Sequence, residues 1–352
     1  MENRIKKSLI CKSVNDYELD TNLNATHAPK VGDVALFRVK NIGKHNRIQN
    51  YKGRNRLIFE GDLILCAFGN RYATNQIEGY VPDSVCLEYH ILGQGGVVGL
   101  VKSMYKPLEE KGPTTLELIG YAVTERGRVY NTQFPFIELA KEARKNTNKA
   151  KVILSIGSSM DSGKTTTAGY LCRGLAKAGK RVSFMKLTGT VYTKDTNFVL
   201  DCGADATIDF SHYGFPSTYL CDVRVLVWLF HSLMYKLEQH DPEYVVVEIA
   251  DGLLQRETRA LLANRIFMKS IHKVIYSAGD SLSVLSGLKL LKSWRIHPFA
   301  VSGLFTAHPL LAEEVRNNSN MDVLTLDDLG STDIIQYFEN KSKEVRMWKH
   351  AS

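Results

Sequence analysis

The chain has 352 residues, of which 44% are hydrophobic and 23% are charged, and this composition is typical of a globular protein with about two domains. There is no run of 18 apolar residues and no apolar segment behind the basic residues 1–7, so neither a membrane span nor a secretory signal is expected. The six cysteines form no C-x-x-C pair, which favours reduced thiols over disulfides or a zinc site. Together these features predict a cytoplasmic protein without a membrane partner.

The net charge of +8 is unevenly distributed along the chain. Residues 1–150 carry 22 basic and 16 acidic residues, a net charge of +6, whereas residues 151–352 carry 23 and 21, a net charge of +2. Much of the excess comes from a cluster of basic residues: Arg38, Lys40, Lys44, His45, Arg47, Lys52, Arg54 and Arg56. Such a cluster either binds nucleic acid or another polyanion, or forms the solvated face of a hairpin.

The first half of the chain has the pattern of a β-rich domain. Residues 1–30 are polar and are predicted to be a loose lead-in. Short apolar or alternating segments follow, with glycine-containing turns between them, and they predict strands over 34–39, 56–59, 63–68, 97–101 and 116–123. Strands at this density without intervening helices predict a small antiparallel barrel or sandwich.

Two further segments complete this half. The glycine-dense residues 90–99 are expected to form a tight connection or bulge inside the barrel, or else to approach a ligand closely. Residues 136–145 have helical spacing, and residues 144–149 read as a polar linker. We therefore predict two domains, a β-rich domain over 1–145 and an α/β domain over 151–352.

The second domain opens with a motif that spans residues 151–180. An apolar run of strand length, 152–156, precedes a loop bounded by glycines, and residues 166–177 have helical spacing. The loop and its continuation are Gly157, Ser158, Ser159, Met160, Asp161, Ser162, Gly163, Lys164, Thr165 and Thr166. A strand, a glycine-bounded loop carrying Gly-Lys-Thr and a helix, in this order, are typical of a phosphate-binding loop.

The residues of this loop suit a nucleoside triphosphate with Mg²⁺. Gly163 lets successive backbone N–H groups turn towards an anion, and the start of the helix adds its positive end. Lys164 can reach the β- and γ-phosphates, and the hydroxyl of Thr165 can bind Mg²⁺. Ser158 stands where the usual spacing has its first glycine. The loop predicts ATP or GTP as the nucleotide and leaves the choice open.

The rest of the chain alternates between strand and helix patterns. Strands are predicted over 181–185, 244–249, 273–277 and 300–305, and helices over 223–240, 256–269 and 282–294. This alternation predicts a mostly parallel, doubly wound sheet with ligands at the carboxyl ends of its strands. Glu248 ends a buried strand there, so it either binds Mg²⁺ or forms a buried salt bridge.

Residues 151–305 resemble dethiobiotin synthetases and the ATP-dependent cobyrinate amide synthetases. Three features carry the resemblance. Five residues separate Gly157 from Gly163, a lysine follows the next strand in Lys186-Leu187-Thr188-Gly189, and a later strand ends in a Val-Val-Val-Glu pattern within residues 245–252. The chain departs from the family at Ile249 and Asp251, where the family has glycine.

The resemblance implies that ATP phosphorylates a small carboxylate-type acceptor. It implies Mg²⁺ binding by Thr165 and Glu248, Lys164 on the phosphates, and Lys186 beside the transferring phosphoryl group. A second Mg²⁺-binding aspartate is expected between Lys186 and Glu248. The candidates are Asp195, Asp201, Asp205 and Asp209, and Asp195 is preferred. Proteins of this family are often dimers, so a homodimer is also expected.

Three functions compete at this point. The first is an enzyme that transfers the γ-phosphoryl group of Mg-ATP, with Lys164, Lys186 and Glu248 as catalytic residues and a ligase or kinase outcome. The second is a nucleotide-gated module whose basic β domain binds nucleic acid or a protein. The third is a scaffold that keeps the fold without the activity.

Overall fold

The computed structural model describes residues 5–339, so residues 1–4 and 340–352, at the outer ends of the two predicted domains, lie outside it. The strands are β1 (Lys6–Lys7), β2 (Glu18–Asp20), β3 (Val34–Asn41), β4 (Arg47–Gln49), β5 (Asn55–Leu57), β6 (Leu63–Phe68), β7 (Ile77–Tyr80), β8 (Tyr89–Gly93), β9 (Val97–Met104), β10 (Thr115–Val123), β11 (Lys151–Gly157), β12 (Val182–Lys186), β13 (Ala206–Asp209), β14 (Tyr244–Glu248), β15 (Lys273–Ser277) and β16 (Ala300–Ser302). The helices are α1 (Phe136–Ala143), α2 (Lys164–Lys177), α3 (Lys194–Asp201), α4 (Val223–Leu237), α5 (Arg256–Ala263), α6 (Arg265–Lys269), α7 (Ser281–Ser293), α8 (Pro309–Asn318), α9 (Leu326–Leu329) and α10 (Gln336–Glu339).

The first half of the chain forms a closed barrel. Five strands pair in the order β6, β3, β10, β8, β9, and a parallel pairing of β9 with β6 closes the ring. The other four pairings are antiparallel. Strands β1, β2 and β7 extend the sheet outside this ring, and β4 and β5 form a separate two-stranded hairpin. The β-rich region is therefore a barrel, as the density of strand signals suggested.

Aromatic rings fill part of the barrel interior. Phe37, Phe68, Tyr89 and Tyr121 are all fully buried. Phe68 lies with its ring centroid 5.5 Å from Phe37 and 5.3 Å from Tyr89, both edge to face. Large aromatic side chains pack well on one face of a pleated strand and bury much apolar area, which explains why these segments form strands.

The prediction of a loose lead-in over residues 1–30 was wrong for the part that the structure describes. Strand β1 pairs with β6 and β2 pairs with β10. Leu9, Ile10 and Val14 are buried in the main hydrophobic core. The composition of this segment is mostly polar, and the few apolar residues that pack lie between strands of only two or three residues. Its strands therefore could not be recognised from the sequence.

The glycine-dense segment is the tight turn between β8 and β9, with a register shift in β8. A side chain at Gly95 would place its Cβ 2.1 Å from the carbonyl oxygen of Val191, in the second half of the chain. The close approach considered at the sequence level is therefore made to the protein's own backbone. Only glycine fits at this contact.

The second half is a doubly wound α/β fold, as predicted. Its six strands are all parallel and lie in the order β13, β12, β14, β11, β15, β16. Leu154 of β11 belongs to a core shared with α4, whereas its neighbour Ile153 belongs to a core shared with α2. Helices therefore cover both faces, which is why the strands read as continuous apolar runs.

One buried hydrophobic cluster joins the barrel to the sheet. It contains Leu65 and Val97 of the barrel together with Val191 and Phe215 of the second half. Helix α1 packs on α4, where Phe136 and Trp228 have ring centroids 4.0 Å apart. The division into domains 1–145 and 151–352 stays a prediction. Among residues 5–339, no helix has both the length and the apolar character needed to cross a bilayer.

Candidate functional site

The phosphate-loop motif lies between β11 and α2, at the carboxyl edge of the sheet. Strand β11 ends at Gly157, and α2 begins at Lys164. Gly163, immediately before the helix, has φ +92°, a left-handed conformation that glycine adopts without strain. The N–H of Ser158 donates to the carbonyl oxygen of Ser277 at 2.9 Å, which fixes the start of the loop on strand β15.

The side chain of Lys164 folds back into this loop. It is buried, with 6% of its surface exposed, and its Nζ donates to the carbonyl oxygen of Ser159 at 2.6 Å. Burial lowers the pKa of Lys164 from its usual value, while the charge of Glu248 acts in the opposite direction. The loop therefore holds a desolvated cation, an arrangement suited to an anionic ligand.

Glu248 ends β14 and lies beside the start of α2. Its Oε1 accepts a hydrogen bond from the hydroxyl of Thr165 at 3.0 Å. Its Oε2 is buried and has no hydrogen-bond partner among the described residues. An unpaired carboxylate oxygen beside a hydroxyl is a set of ligands that suits Mg²⁺. This ion usually binds one or two carboxylates and completes its coordination shell with phosphates and water. Residues 5–339 contain no group of three or more His, Cys, Asp or Glu residues placed to bind a metal ion.

Lys186 ends β12, in register with Glu248 on one side and Asp209 on the other. Its Nζ lies 3.6 Å from Oε1 of Glu248 and forms an ion pair with Asp195, in the first turn of α3. Burial alone would lower the pKa of Lys186, but the charges of Glu248 and Asp195 outweigh it and hold the pKa above its usual value. Lys186 therefore stays protonated.

The structure separates the four aspartates considered for a second metal ligand. Asp195 is connected to the site by its ion pair with Lys186. Asp209 is buried and accepts hydrogen bonds from the N–H and hydroxyl of Ser211 at 2.9 and 2.5 Å, so it caps the short 3₁₀ helix that follows. Asp205 accepts a hydrogen bond from the N–H of Val182, at the opposite end of β12, and Asp201 lies exposed at the end of α3. A metal-binding role for Asp195 stays a prediction.

Asp251 is a site residue to which the sequence analysis gave no role. It follows β14, has φ +61°, and carries a carboxyl group near three cations. Burial raises the pKa of Asp251 to about 6, although the charges of Lys164, Lys186 and Arg71 act to lower it. The one sequence signal for this residue is that Asp251 stands where the dethiobiotin synthetase family has glycine.

The barrel also contributes to the site through residues 69–76. Asn75 donates from Nδ2 to Oδ2 of Asp161 in the phosphate loop, at 2.9 Å. Arg71 is buried and donates to the carbonyl oxygen of Leu92 and to Gln76, while its Nε has no hydrogen-bond partner among the described residues. Burial lowers the pKa of Arg71 to about 10. The sequence contains no motif at these residues, because they come close to the phosphate loop only in the folded protein.

The basic cluster of the first half does not form one surface. His45 is buried, and its Nδ1 is bonded to the carbonyl oxygen of Ile91 at 3.0 Å. Lys44 donates to Gln76 at 2.7 Å, and Arg38 pairs with Glu117 across two strands. Arg38 and Lys40 lie on β3, whereas the other four members lie on the hairpin of β4 and β5: Arg47, Lys52, Arg54 and Arg56.

No protein-family model and no curated protein matches the chain. Solved structures are similar at low identity. The signal recognition particle receptor FtsY from Elizabethkingia anophelis is 16% identical, with a TM-score of 0.38 over 58% of this chain and 71% of that one. The hydrogenase maturation factor HypB from Archaeoglobus fulgidus is 11% identical, with a TM-score of 0.32 over 54% and 88%. A nucleotide-binding protein from the same organism, in complex with ADP, is 13% identical, with a TM-score of 0.33 over 57% and 96%.

These similarities do not assign the chain to a family. The chain's own topology defines its class. A central parallel strand that runs through a glycine-bounded Gly-Lys-Thr loop into a helix is the fold of P-loop nucleoside triphosphatases. The narrower resemblance to dethiobiotin synthetases stays a prediction.

Proposed function

We propose that the protein binds a Mg²⁺-nucleoside triphosphate and transfers its γ-phosphoryl group to a small carboxylate-type acceptor. The observation that supports this most strongly is the grouping of Thr165, Glu248 and Lys186 beside the phosphate loop. A hydroxyl and a carboxylate that suit Mg²⁺ lie next to a largely buried cation on an adjacent strand. Phosphoryl transfer needs positioning and charge neutralisation more than covalent chemistry from the protein, and these residues supply both.

Each residue has a distinct part in this proposal. The backbone of residues 157–163 and the ammonium of Lys164 bind the β- and γ-phosphates. Thr165 and Glu248 hold Mg²⁺, which neutralises phosphate charge when bound. An acceptor carboxylate oxygen forms the new bond to phosphorus while the bond to the nucleoside diphosphate breaks. Lys186 lies where it can neutralise the transferring group, and no proton has to move.

The alternative of a nucleotide-gated binding module also has an observation in its favour. The side chain of Gln49, on the basic hairpin, exchanges two hydrogen bonds with Thr193, at 2.9 and 3.0 Å. Asp195 lies two residues further on and pairs with Lys186. A partner bound to the hairpin would thus act on the loop that leads into the nucleotide site. A homodimer and a cytoplasmic location stay predictions.

The first experiment is calorimetric titration of Mg-ATP and Mg-GTP into the wild type, Lys164→Ala and Lys177→Ala. Lys177 is exposed at the far end of the same helix and serves as the matched control. We expect binding of one nucleotide, a loss of about tenfold or more in Lys164→Ala, equivalent to at least about 1.4 kcal/mol, and no change in Lys177→Ala. No binding of either nucleotide to the wild type would overturn the proposal.

The second experiment separates transfer from binding. Release of nucleoside diphosphate is measured with a panel of small mono- and dicarboxylates, for the wild type and Lys186→Met. We expect Lys186→Met to bind nucleotide and to lose acceptor-dependent turnover. Turnover that is equal in the two proteins would remove Lys186 from the reaction. Nucleotide binding without any acceptor-dependent turnover would favour the gated module.

A further inference from the structure

The hairpin formed by β4 and β5 carries an uncompensated positive charge. Residues 47–59 contain four basic residues and no acidic residue. Arg47, Lys52, Arg54 and Arg56 are all exposed, and none of them forms a salt bridge within residues 5–339. Exposed cations without acidic neighbours create a positive potential at the surface, so this hairpin is suited to bind a polyanion.

Exposed rings lie among these cations. Tyr51 is 54% exposed and Phe59 is 62% exposed, at the two ends of the hairpin. The ammonium of Lys52 lies 5.7 Å from the ring centroid of Tyr51, and that of Lys6 lies 5.4 Å from Phe59. Each ring therefore lies beside a cation and leaves much of its surface open to stack on a planar group.

The cations and rings line two adjacent clefts of about 450 Å³ each. One contains Tyr51 and Lys52, the other contains Arg47 and Phe59, and Arg54 and Arg56 line both. The two clefts are therefore continuous through a pair of guanidinium groups, which bind phosphates in a bidentate manner.

We propose that this hairpin binds single-stranded nucleic acid, with the backbone phosphates on Arg54 and Arg56 and bases stacked on Tyr51 and Phe59. A single strand offers both phosphates and unpaired bases, which match clefts that each combine one exposed ring with several cations. A duplex fits less well, because its bases are already stacked and cannot reach the rings. The inference does not depend on the proposed phosphoryl transfer, because it concerns a different surface.

The test uses fluorescence anisotropy of the full-length chain with a labelled oligouridylate of about 12 nucleotides, a length within the range bound by single-strand sites. If Arg47 and Lys52 also contact phosphates, the four contacts predict a salt slope of about −3, so affinity should fall about 50-fold between about 50 and 200 mM salt. Arg54→Ala/Arg56→Ala should halve the slope, leaving a fall of about sevenfold over the same range.

The matched control is Arg126→Ala/Arg128→Ala, which removes the same charge from another exposed turn of the barrel region. We expect this pair to bind as the wild type does. Tyr51→Ala should weaken binding at least about fivefold without changing the salt slope, and Tyr51→Phe should restore it. All of these substitutions are on the surface, and an unchanged thermal midpoint for each variant confirms that the fold is intact.

Several results would overturn the inference. They are the absence of binding at low salt, an equal loss in the control pair, and duplex binding as tight as single-strand binding. Vesicles of phosphatidylcholine and phosphatidylserine provide a further arm. Sedimentation with vesicles that depends on Arg54 and Arg56, with no affinity for the oligonucleotide, would instead identify a membrane surface as the ligand.

Discussion

Replacing Asp251 with asparagine should make the protein more stable at neutral pH. Asp251 is largely buried, and burial raises the pKa of its carboxyl group from 3.8 to about 6. Asparagine has nearly the same shape, tolerates the left-handed conformation at φ +61°, and cannot ionise. The substitution therefore removes the cost of a buried charge and leaves the backbone as it is.

The size and the sign of this change in the free energy of unfolding follow from proton linkage. The folded protein holds the Asp251 proton more tightly than the unfolded chain, so this stabilisation is complete below about pH 4 and is lost as the pH rises through about 6. A rise in pKa from 3.8 to about 6 corresponds to about 3 kcal/mol, at about 1.36 kcal/mol per pH unit. The variant should thus exceed the wild type in free energy of unfolding by up to about 3 kcal/mol above pH 7, and by little near pH 4.

Urea unfolding of both proteins across this pH range measures the difference. Asp16→Asn is the matched control, because Asp16 has a similar φ of +51° but is exposed. Because Asp16 is exposed, Asp16→Asn should change the free energy of unfolding little at neutral pH. An Asp251→Asn variant that is equally stable at all pH values, or less stable at neutral pH, would refute the reasoning. The second result would mean that the Asp251 carboxylate is stabilised by the three nearby cations more than burial destabilises it.

Two other predictions concern the nucleotide site. A Cβ at Gly252 would lie 2.2 Å from the carbonyl oxygen of Ser158, so Gly252→Ala should displace the phosphate loop and weaken nucleotide binding about tenfold or more, whereas Gly279→Ala, with no atom within 4 Å, should bind normally in the same calorimetric assay. Glu248→Gln keeps an oxygen for the hydroxyl of Thr165 but removes the carboxylate charge, so the gain in nucleotide affinity on adding Mg²⁺ should disappear while binding without Mg²⁺ persists. An Mg²⁺ dependence that is unchanged in Glu248→Gln would exclude Glu248 as a ligand.

The parallel sheet was predictable because its signals are local and strong. Strand β15 has the predicted bounds of 273–277, and the strands that end at Lys186 and Glu248 run parallel, as the alternation of elements predicted. Parallel strands bring their carboxyl ends to one edge, so residues at strand ends could be placed together without knowing the strand order.

The contribution of the barrel to the site was not predictable, for a physical reason. Arg71 and Asn75 lie in an irregular loop, and their contacts with the second half span long sequence separations. Periodicity reports only which face of a local element is buried, and carries no information on such distant contacts. For the same reason the basic cluster looked continuous in sequence, although folding buries His45 and leaves Arg54 exposed.

The hydrophobic cluster shared by barrel and sheet has a consequence for how this protein can move. Within residues 5–339, Leu65, Val97, Val191 and Phe215 belong to one buried core, and the Gly95 turn abuts the backbone of Val191. Swinging the two halves apart about a hinge would expose that apolar surface to water. A rearrangement confined to the loops around the nucleotide site would keep that apolar surface buried. The cluster therefore couples the packing of the barrel interior to the packing of the sheet that carries the nucleotide site.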